Sequence, residues 1–393
     1  MKIGPPRSLS PDEQTLAPPL PSRRGRRAAI LIIAALVLMA AFVVVAPYLS
    51  SALKQGYSIL SGEGSVGQGT TTVSVGTGVA TTTGNCSSAV TVQSLVAPDI
   101  VNGSATIAYP PDYCTLAEYA LAQINADRTA NGTGPVALSY NQAAQQHADS
   151  MLYYSYFSHY DTQGYAPYMR YTLLGGRGGD YENVAYSSYA VGLAGQTTAL
   201  EGAIKNLEHL MVYDDYTCCD NGHRDNILNP LHNYVSIGVA YNSTYVYFDE
   251  EFETDYINLN FSVTGPSAPN PYYVTMEGTP IPGTPVPNSI YIAFDSTPTA
   301  ETRAQLDNGP HEYGPGTLLG GVLPPSGPFG TCDQFTVGTT VCADTWTFNS
   351  SSMGIAFSLE KFIMNDGPGV YTVYLITGSS TDSALTTISI FVA

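Results

Sequence analysis

The sequence predicts an α+β domain that is preceded by one transmembrane helix and followed by an all-β, sandwich-like unit. Residues 28–46 form an uninterrupted apolar run. Apolar side chains recur at helical spacing between about 114 and 211, and then alternate with a period of two between 235 and 252. Beyond 288 only short strand-like runs recur between turn signals. Helices that precede an antiparallel strand pair are typical of α+β domains, and repeated short strands favour a sandwich.

The apolar run is longer than the roughly 7–15 residues of a signal-peptide core, and it is long enough for a helix that crosses a bilayer. Segment 28–49 is therefore predicted to span the membrane. Its N-terminal flank carries Arg23, Arg24, Arg26 and Arg27, whereas only Lys54 lies near its other end. The positive-inside rule then places residues 1–27 in the cytoplasm and the bulk outside the cell. Two alternatives stay open: a long signal peptide whose cleavage gives a secreted protein, and a pilin-like leader cut near Gly25.

The charge of the chain is unevenly distributed. The net charge is -18 over 393 residues, yet the first 27 residues are basic, so the remainder is strongly acidic. Phosphate contacts need Lys and Arg, which argues against nucleic acid and anionic lipid as partners of this remainder. The many tyrosines and few lysines indicate an unusual external medium, such as low pH or high salt.

Composition divides the rest of the chain. Residues 1–27 are rich in Pro, Ser and Arg and are predicted to be a disordered tail. Residues 50–110 are dominated by Gly, Ser and Thr and are predicted to be a stalk. Three further segments follow: a folded domain at 111–265, a proline-rich linker at 266–287 and a β-sandwich-like domain at 288–393.

Local patterns place the elements of both folded segments. The central segment is predicted to hold three helices, beginning at the Thr115-x-x-Glu118 capping box, at Ser139-x-x-Gln142 and at about Gly192, and two strands, Val235–Tyr241 and Tyr245–Phe252. The last segment is predicted to hold strands at Ser289–Phe294, Phe335–Val341, Met353–Leu359 and Gly369–Ile376.

Six cysteines fit an oxidising exterior. Cys332 and Cys342 could close a short hairpin, and Cys86 and Cys114 could pin the stalk to the first helix. The adjacent Cys218 and Cys219 could pair with each other or with separate partners. A zinc site built on these two is not favoured, because it lacks the C-x2-C spacing. Glycosylation sequons occur at Asn85, Asn102, Asn131, Asn242, Asn260 and Asn349.

Four motifs in the central segment carry the candidate site. Ser158-His159 follows the second helix, and Glu182-Asn183-Val184-Ala185 follows a glycine-rich loop. The stretch from Gly222 to Pro230, GHRDNILNP, comes next, and Ile237–Tyr241 follows it. In this order the motifs resemble the CAP superfamily: cysteine-rich secretory proteins, antigen 5, pathogenesis-related 1 and the bacterial and archaeal SCP-like domains. The resemblance covers only the middle of the chain.

The resemblance implies an α-β-α sandwich with a site in a groove across the sheet. His159 and His223 would face each other there and could bind a divalent metal, with zinc the natural ion for imidazole ligands. Glu182, expected in a loop, would lie beside them and either orient a histidine or act as a general base. Glu208 is the best candidate for a second groove acid, with Glu201 and Asp214 as fallbacks.

Other motif residues are predicted to be structural. His147 lies on the apolar face of the second helix and is interpreted as a hydrogen-bonded core residue. His232 is interpreted as a turn residue. Asn125 and Arg128 match a family pattern, and Arg128 is expected to pair with a buried carboxylate or with carbonyls. No sequence motif for a nucleophile is present.

These observations favour a membrane-anchored binding or interaction module, with a peptide, lipid or glycan as its ligand. One alternative is a metal-assisted hydrolase or protease with Glu182 as base, and Glu208 as the second acid. Another is a structural cell-envelope protein without a ligand. No catalytic residue is assigned from the sequence.

Overall fold

The structure is a computed structural model, and it describes residues 89–93, 104–108, 113–139, 141–188, 197–327, 330–332 and 338–393. The tail, the membrane span predicted at 28–49 and Cys86 lie outside the described residues. No helix in the described ranges is both long enough and apolar enough to cross a membrane.

In the described residues, helices and strands are interspersed up to residue 227, and strands predominate afterwards. The helices are α1 (Tyr113–Ala130), α2 (Ala143–Tyr154), α3 (Pro167–Leu173), α4 (Thr197–Tyr213), α5 (Tyr216–Cys219), α6 (Gly222–Ile227), α7 (Arg303–Asn308) and α8 (Glu360–Asp366). The first strands are β1 (Ala89–Gln93), β2 (Ser104–Ala108), β3 (Ala137–Leu138), β4 (Gly179–Ser188), β5 (Tyr234–Tyr241) and β6 (Tyr245–Thr254). The later strands are β7 (Ile257–Val263), β8 (Tyr273–Pro280), β9 (Ser289–Asp295), β10 (Thr317–Leu323), β11 (Ser326–Gly327), β12 (Gly330–Thr331), β13 (Thr339–Cys342), β14 (Thr345–Asn349), β15 (Ser352–Ser358), β16 (Gly369–Ile376) and β17 (Ala384–Val392).

The central domain is built on a four-stranded sheet in the order β3-β5-β6-β4. Helices α1 and α4 pack together on one face, and their apolar side chains share a core with β5 and β6. Helix α2 packs on the opposite face, where Gly238 permits a close approach: an added Cβ would lie 2.1 Å from the Ala144 carbonyl oxygen. The domain therefore has helices on both faces of one sheet, with β4 at its edge.

The C-terminal domain is a β-sandwich. Its sheets have the orders β13-β10-β9-β16-β17 and β14-β15-β8-β7, and their apolar side chains meet in one core. The prediction of Gly369–Ile376 as a strand is confirmed, and this strand is buried at every position. A disulfide joins Cys332 to Cys342.

The proline-rich stretch 266–287, predicted to be a linker, contains strand β8. Prolines flank the strand, but the run between them alternates buried and exposed residues and pairs along its length with β7. The sequence predicts that the central domain runs to residue 265, but its last residues form β7, which lies in the C-terminal sheet.

The two domains also touch directly. The hydroxyl of Tyr181 donates a 2.7 Å hydrogen bond to the Thr381 carbonyl, and the Thr254 hydroxyl donates to the Ala384 carbonyl. Strand β17 packs against α3 and β4. The candidate site lies at this contact.

Candidate functional site

Glu182 lies in the middle of β4, and the prediction of a loop there is wrong. The segment is extended because β4 pairs along its whole length with β6, with Glu182 opposite Glu251. Polar residues are depleted in strands, and this composition hides the strand in the sequence. Because alternate residues of a strand face opposite sides, Glu182 points away from the face that holds Asn183.

Both carboxylate oxygens of Glu182 are engaged. Oε1 accepts a 2.8 Å hydrogen bond from Nδ1 of His159, and Oε2 forms an ion pair with the guanidinium of Arg170. The Arg170 guanidinium also donates to the backbone carbonyls of His159 and Tyr165, both at 2.8 Å. Arg170, in α3, thus holds Glu182 and the His159 backbone together. No motif in the sequence marks this arginine.

Burial sets the protonation of this group. Loss of solvent, reinforced by the nearby Arg170 charge, lowers the pKa of His159 to about 3, so its imidazole is neutral at physiological pH. Burial raises the pKa of Glu182 to about 7, while the Arg170 charge acts in the opposite direction. A neutral His159 that donates from Nδ1 keeps Nε2 as an acceptor or metal ligand.

His223 has a carboxylate partner of its own. Its Nδ1 lies 2.7 Å from Oδ1 of Asp215, which is buried, and Oδ2 of Asp215 accepts a 3.1 Å hydrogen bond from the backbone of Arg224. Asp214 was a fallback acid, but Asp215, the next residue, makes the contact with the histidine. Among the described residues, Nδ1 makes the only hydrogen bond of either the His159 or the His223 ring, which leaves each Nε2 available.

His159, Glu182 and His223 all line one cavity of about 430 Å³. Its other polar walls include His311 and the acids Asp180, Asp225, Glu312 and Asp382, and its aromatic walls are Tyr168, Tyr181, Tyr313 and Tyr374. No Lys or Arg is among the residues that line it. The cavity therefore presents acidic, imidazole and aromatic groups, contributed by both domains.

Tyr313, from the C-terminal domain, covers the His159 side of the cavity. Its ring centroid lies 4.7 Å from that of His159, and its hydroxyl accepts a 2.6 Å hydrogen bond from the backbone amide of Glu182. No sequence pattern indicates this contact, because it joins residues 131 positions apart.

Glu208 is buried but does not belong to the cavity wall. Its carboxyl faces that of Glu250, and Glu250 accepts a 3.2 Å hydrogen bond from Asn183, a cavity residue. Glu208 is thus connected to the cavity only through the side chains of Glu250 and Asn183. Of the fallback acids, Asp214 is exposed and Glu201 is partly exposed on α4, and neither is a lining residue.

Strand β6 carries an array of buried acids that the sequence analysis did not single out. Asp249, Glu250, Glu251 and Glu253 are all buried. Burial raises the pKa of Glu250 to about 7, and those of Glu251 and Glu253 to about 8. Both carboxylate oxygens of Glu251 are buried, and in the ionised state neither has a hydrogen-bond donor. A proton shared with the facing carboxyls of Asp180 and Glu182 would supply such a donor.

Three of the residues interpreted as structural are buried and hydrogen-bonded: His147, His232 and Arg128. Nε2 of His147 lies 2.8 Å from the Ser158 carbonyl, and Nε2 of His232 lies 2.9 Å from the side-chain oxygen of Asn226. Arg128 donates to backbone carbonyls, including that of Gly134 at 2.7 Å. The carbonyl option for this arginine is therefore the one observed.

The fold defines a helix–sheet–helix domain with a histidine- and acid-lined cavity at its contact with a β-sandwich. Residues 121–256 match the family model described as CAP, the cysteine-rich secretory protein family, and this segment is a domain of the CAP superfamily.

Among solved structures, the chain is similar to an extracellular protein containing a SCP domain from Bacillus anthracis str. Ames, at 18% sequence identity and a TM-score of 0.26. The match covers 39% of this chain and 46% of that chain, so it spans less than half of that protein. No curated protein matches the sequence.

Proposed function

We propose that this chain is a membrane-anchored extracellular binding module, whose cavity holds a divalent metal ion between His159 and His223. One observation carries the proposal: each of these cavity histidines is hydrogen-bonded through Nδ1 to a buried carboxylate, Glu182 or Asp215. Metal-binding histidines have this arrangement, because the carboxylate fixes the tautomer and makes the other nitrogen a better ligand.

The donor set favours zinc. Neutral imidazole nitrogens suit zinc, and two of them leave positions for water or for a ligand group. A bound ion would supply a Lewis-acidic point that attracts such a group. The protein residues fix the ring orientations and supply the acidic surroundings. With two histidine ligands, the ion is expected to exchange readily.

The cavity walls indicate the chemistry of the organic ligand. No lysine or arginine lines the cavity, and Asp225, Glu312 and Asp382 add acidic groups to its wall beside the buried Asp180 and Glu182. This wall favours a cationic group, and tyrosine faces can add cation–π attraction. A volume of about 430 Å³ suits a side chain or a small molecule. Within the peptide, lipid and glycan classes, these features support a peptide that presents a basic side chain.

A hydrolase with Glu182 as general base has less support. Both oxygens of Glu182 already have partners, His159 and Arg170, so its geometry suits the orientation of His159. The alternative of a purely structural envelope protein would leave the histidine pairs as fold stabilisers without a ligand.

Zinc titration separates the proposed metal site from the purely structural alternative. The full chain in mild detergent, titrated by calorimetry, should bind zinc, and His159→Ala and His223→Ala should each weaken binding by at least about tenfold, since even an outer-shell partner is worth that much. His209→Ala is the matched control, because His209 is exposed and is not a cavity residue. Unchanged affinity in both cavity variants, with folding retained, would contradict the proposal.

The membrane anchor is tested separately. Protease added to intact cells should remove the CAP domain and leave the N-terminal tail protected, because segment 28–49 is proposed to hold the chain with residues 1–27 inside. Protection of the CAP domain would contradict this topology, and recovery of the intact domain from the medium would support the secreted alternative.

A further inference from the structure

A second group of possible metal ligands lies at one side of the cavity. One ligand atom from each of Asp215, Cys218, Cys219 and His223 lies within 4.8 Å of every other. Cys218 is exposed, Cys219 and His223 are partly exposed, and Asp215 is buried. His159 is not a member of this group.

The backbone brings the four side chains together over a short stretch. Asp215 follows α4, the two cysteines end α5, and His223 lies in α6. Asp220 and Asn221 between the last two helices have φ values of 50° and 67°. This left-handed conformation is accessible to Asp and Asn, and it turns the chain sharply between the two helices.

The ligand types point to a thiophilic metal. Two thiolates, one imidazole and one carboxylate supply four donors of the kinds that hold tetrahedral zinc. The absence of a C-x2-C spacing argues against a zinc site made from the cysteines alone. That objection does not apply to this group, because Asp215 and His223 complete the set from flanking segments.

The sulfurs are not available as they stand, because Cys218 and Cys219 are joined in a disulfide. Metal binding through sulfur needs the thiolate form. A dithiol reductant can convert the disulfide into two thiols. The Cys218–Cys219 bond breaks and accepts two electrons and two protons, while the dithiol is oxidised to its own disulfide. Metal binding then releases the two thiol protons. The exposure of Cys218 gives the attacking thiolate access.

We propose that Asp215, Cys218, Cys219 and His223 form a redox-gated metal site, closed while the vicinal disulfide is intact and able to take zinc or a similar ion after reduction. The site is distinct from the proposed cavity site, because it requires sulfur and does not use His159. The two sites share His223. The redox state of the surroundings would therefore affect whether the cavity holds a metal ion.

Cobalt(II) provides the test, since thiolate ligation gives a charge-transfer absorption that histidine and carboxylate ligands do not give. The full chain in detergent is reduced with a dithiol under anaerobic conditions, freed of reductant and titrated with cobalt(II). Thiol counting confirms the reduction. We expect the band in reduced protein and its absence from oxidised protein, and zinc should displace the cobalt and abolish the band.

Variants identify the sulfurs. The double variant Cys218→Ser/Cys219→Ser should lose the band, while Cys332→Ser/Cys342→Ser, which removes the other described disulfide, should keep it. Asp215→Asn should weaken cobalt binding but keep some thiolate absorption. The proposal is overturned if reduced protein with free thiols shows no band, or if the band survives in Cys218→Ser/Cys219→Ser.

His159→Ala separates this proposal from the proposed function. It should keep the cobalt–thiolate band of the reduced protein and lose zinc binding by the oxidised protein. Loss of the band in this variant would contradict two distinct sites. A missing band in reduced wild type, together with zinc binding by the oxidised wild type, would reject the redox-gated site alone.

Discussion

The hydroxyl of Tyr313 accepts a 2.6 Å hydrogen bond from the backbone amide of Glu182, at the edge strand of the CAP sheet. Tyr313 therefore has two roles: its hydroxyl satisfies a backbone donor of β4, and its ring covers His159. The β-sandwich contributes to the candidate site through this contact.

Tyr313→Phe should lower the free energy of unfolding by about 1–2 kcal/mol, because the Glu182 amide loses its acceptor while the ring remains. Urea denaturation of the full chain measures this. Tyr153→Phe is the matched control, since Tyr153 is 80% exposed, and it should change stability by less than about 0.5 kcal/mol. Equal effects of the two substitutions would show that the contact contributes no stability.

The buried acids of β4 and β6 should make the stability of the protein fall as the pH rises towards 8. Burial raises the folded-state pKa of Glu251 and Glu253 from 4.5 to about 8, so the folded state binds more protons than the unfolded state between these values. Their contribution is therefore fully present below about pH 4.5 and is lost as the pH rises towards 8. Denaturation curves from pH 4 to pH 9 should show a fall of several kcal/mol, on the order expected from such shifts.

Glu251→Gln identifies a source of this dependence. Glutamine has nearly the same shape and cannot ionise, so the variant should lose less stability than the wild type between pH 5 and pH 8. Glu277→Gln, at an exposed position of β8, should follow the wild-type curve. A wild-type stability that rises over this range would contradict the proton-sharing account.

The acidic composition predicted an unusual medium but left low pH and high salt open, and the structure shows why composition alone could not choose. Solvated carboxylates would fit high salt, whereas these carboxyls face each other in a buried layer, where their raised pKa favours the protonated form. Strand alternation could have indicated the layer, since Asp249, Glu251 and Glu253 share one face of β6. Nothing in the sequence says that this face is covered by Arg170 and by the tyrosines around it.

His147→Ala should destabilise the fold by about 1–3 kcal/mol, because the variant loses packing and leaves the buried Ser158 carbonyl without its hydrogen-bond donor. Zinc affinity should be unchanged, because His147 does not line the cavity. His147 is buried, burial holds its pKa well below the usual value, and its neutral ring donates to the Ser158 carbonyl. Urea denaturation and zinc titration measure the two effects. His209→Ala, an exposed histidine, is the control for stability. A loss of zinc binding without a loss of stability would make His147 a ligand.

The domain boundary is a further test. Strand β7 pairs with β8 over its whole length, so a fragment that ends at 265 exposes an unpaired apolar strand edge. A fragment of residues 110–256 should therefore be more soluble and melt more cooperatively than one of residues 110–265. Circular dichroism melts and light scattering compare them. Better behaviour of the longer fragment would favour the boundary read from the sequence.

Local motifs were sufficient to select His159 and His223, because each lies in a short motif that can be recognised in the sequence. His311, the third histidine that lines the cavity, lies in no such motif. Their partners were harder to predict. Asp215 lies one residue after Asp214, the acid that the sequence suggested. Glu182 lies in a strand that is hard to recognise from the sequence, because its composition is polar. Tyr313 lies in another domain, and only tertiary packing brings it to His159. The β8 strand was missed because its flanking prolines dominate the local composition.

The most direct test of the central claim is the position of a bound metal. Crystals of the oxidised protein soaked with zinc should give an anomalous-scattering peak about 2.0–2.1 Å from Nε2 of both His159 and His223, the distance of zinc–imidazole bonds. Glu182 and Asp215 should remain on the Nδ1 atoms. A peak at another place, or Nε2 atoms too far apart for one ion to bridge, would contradict a metal-holding cavity in this CAP domain.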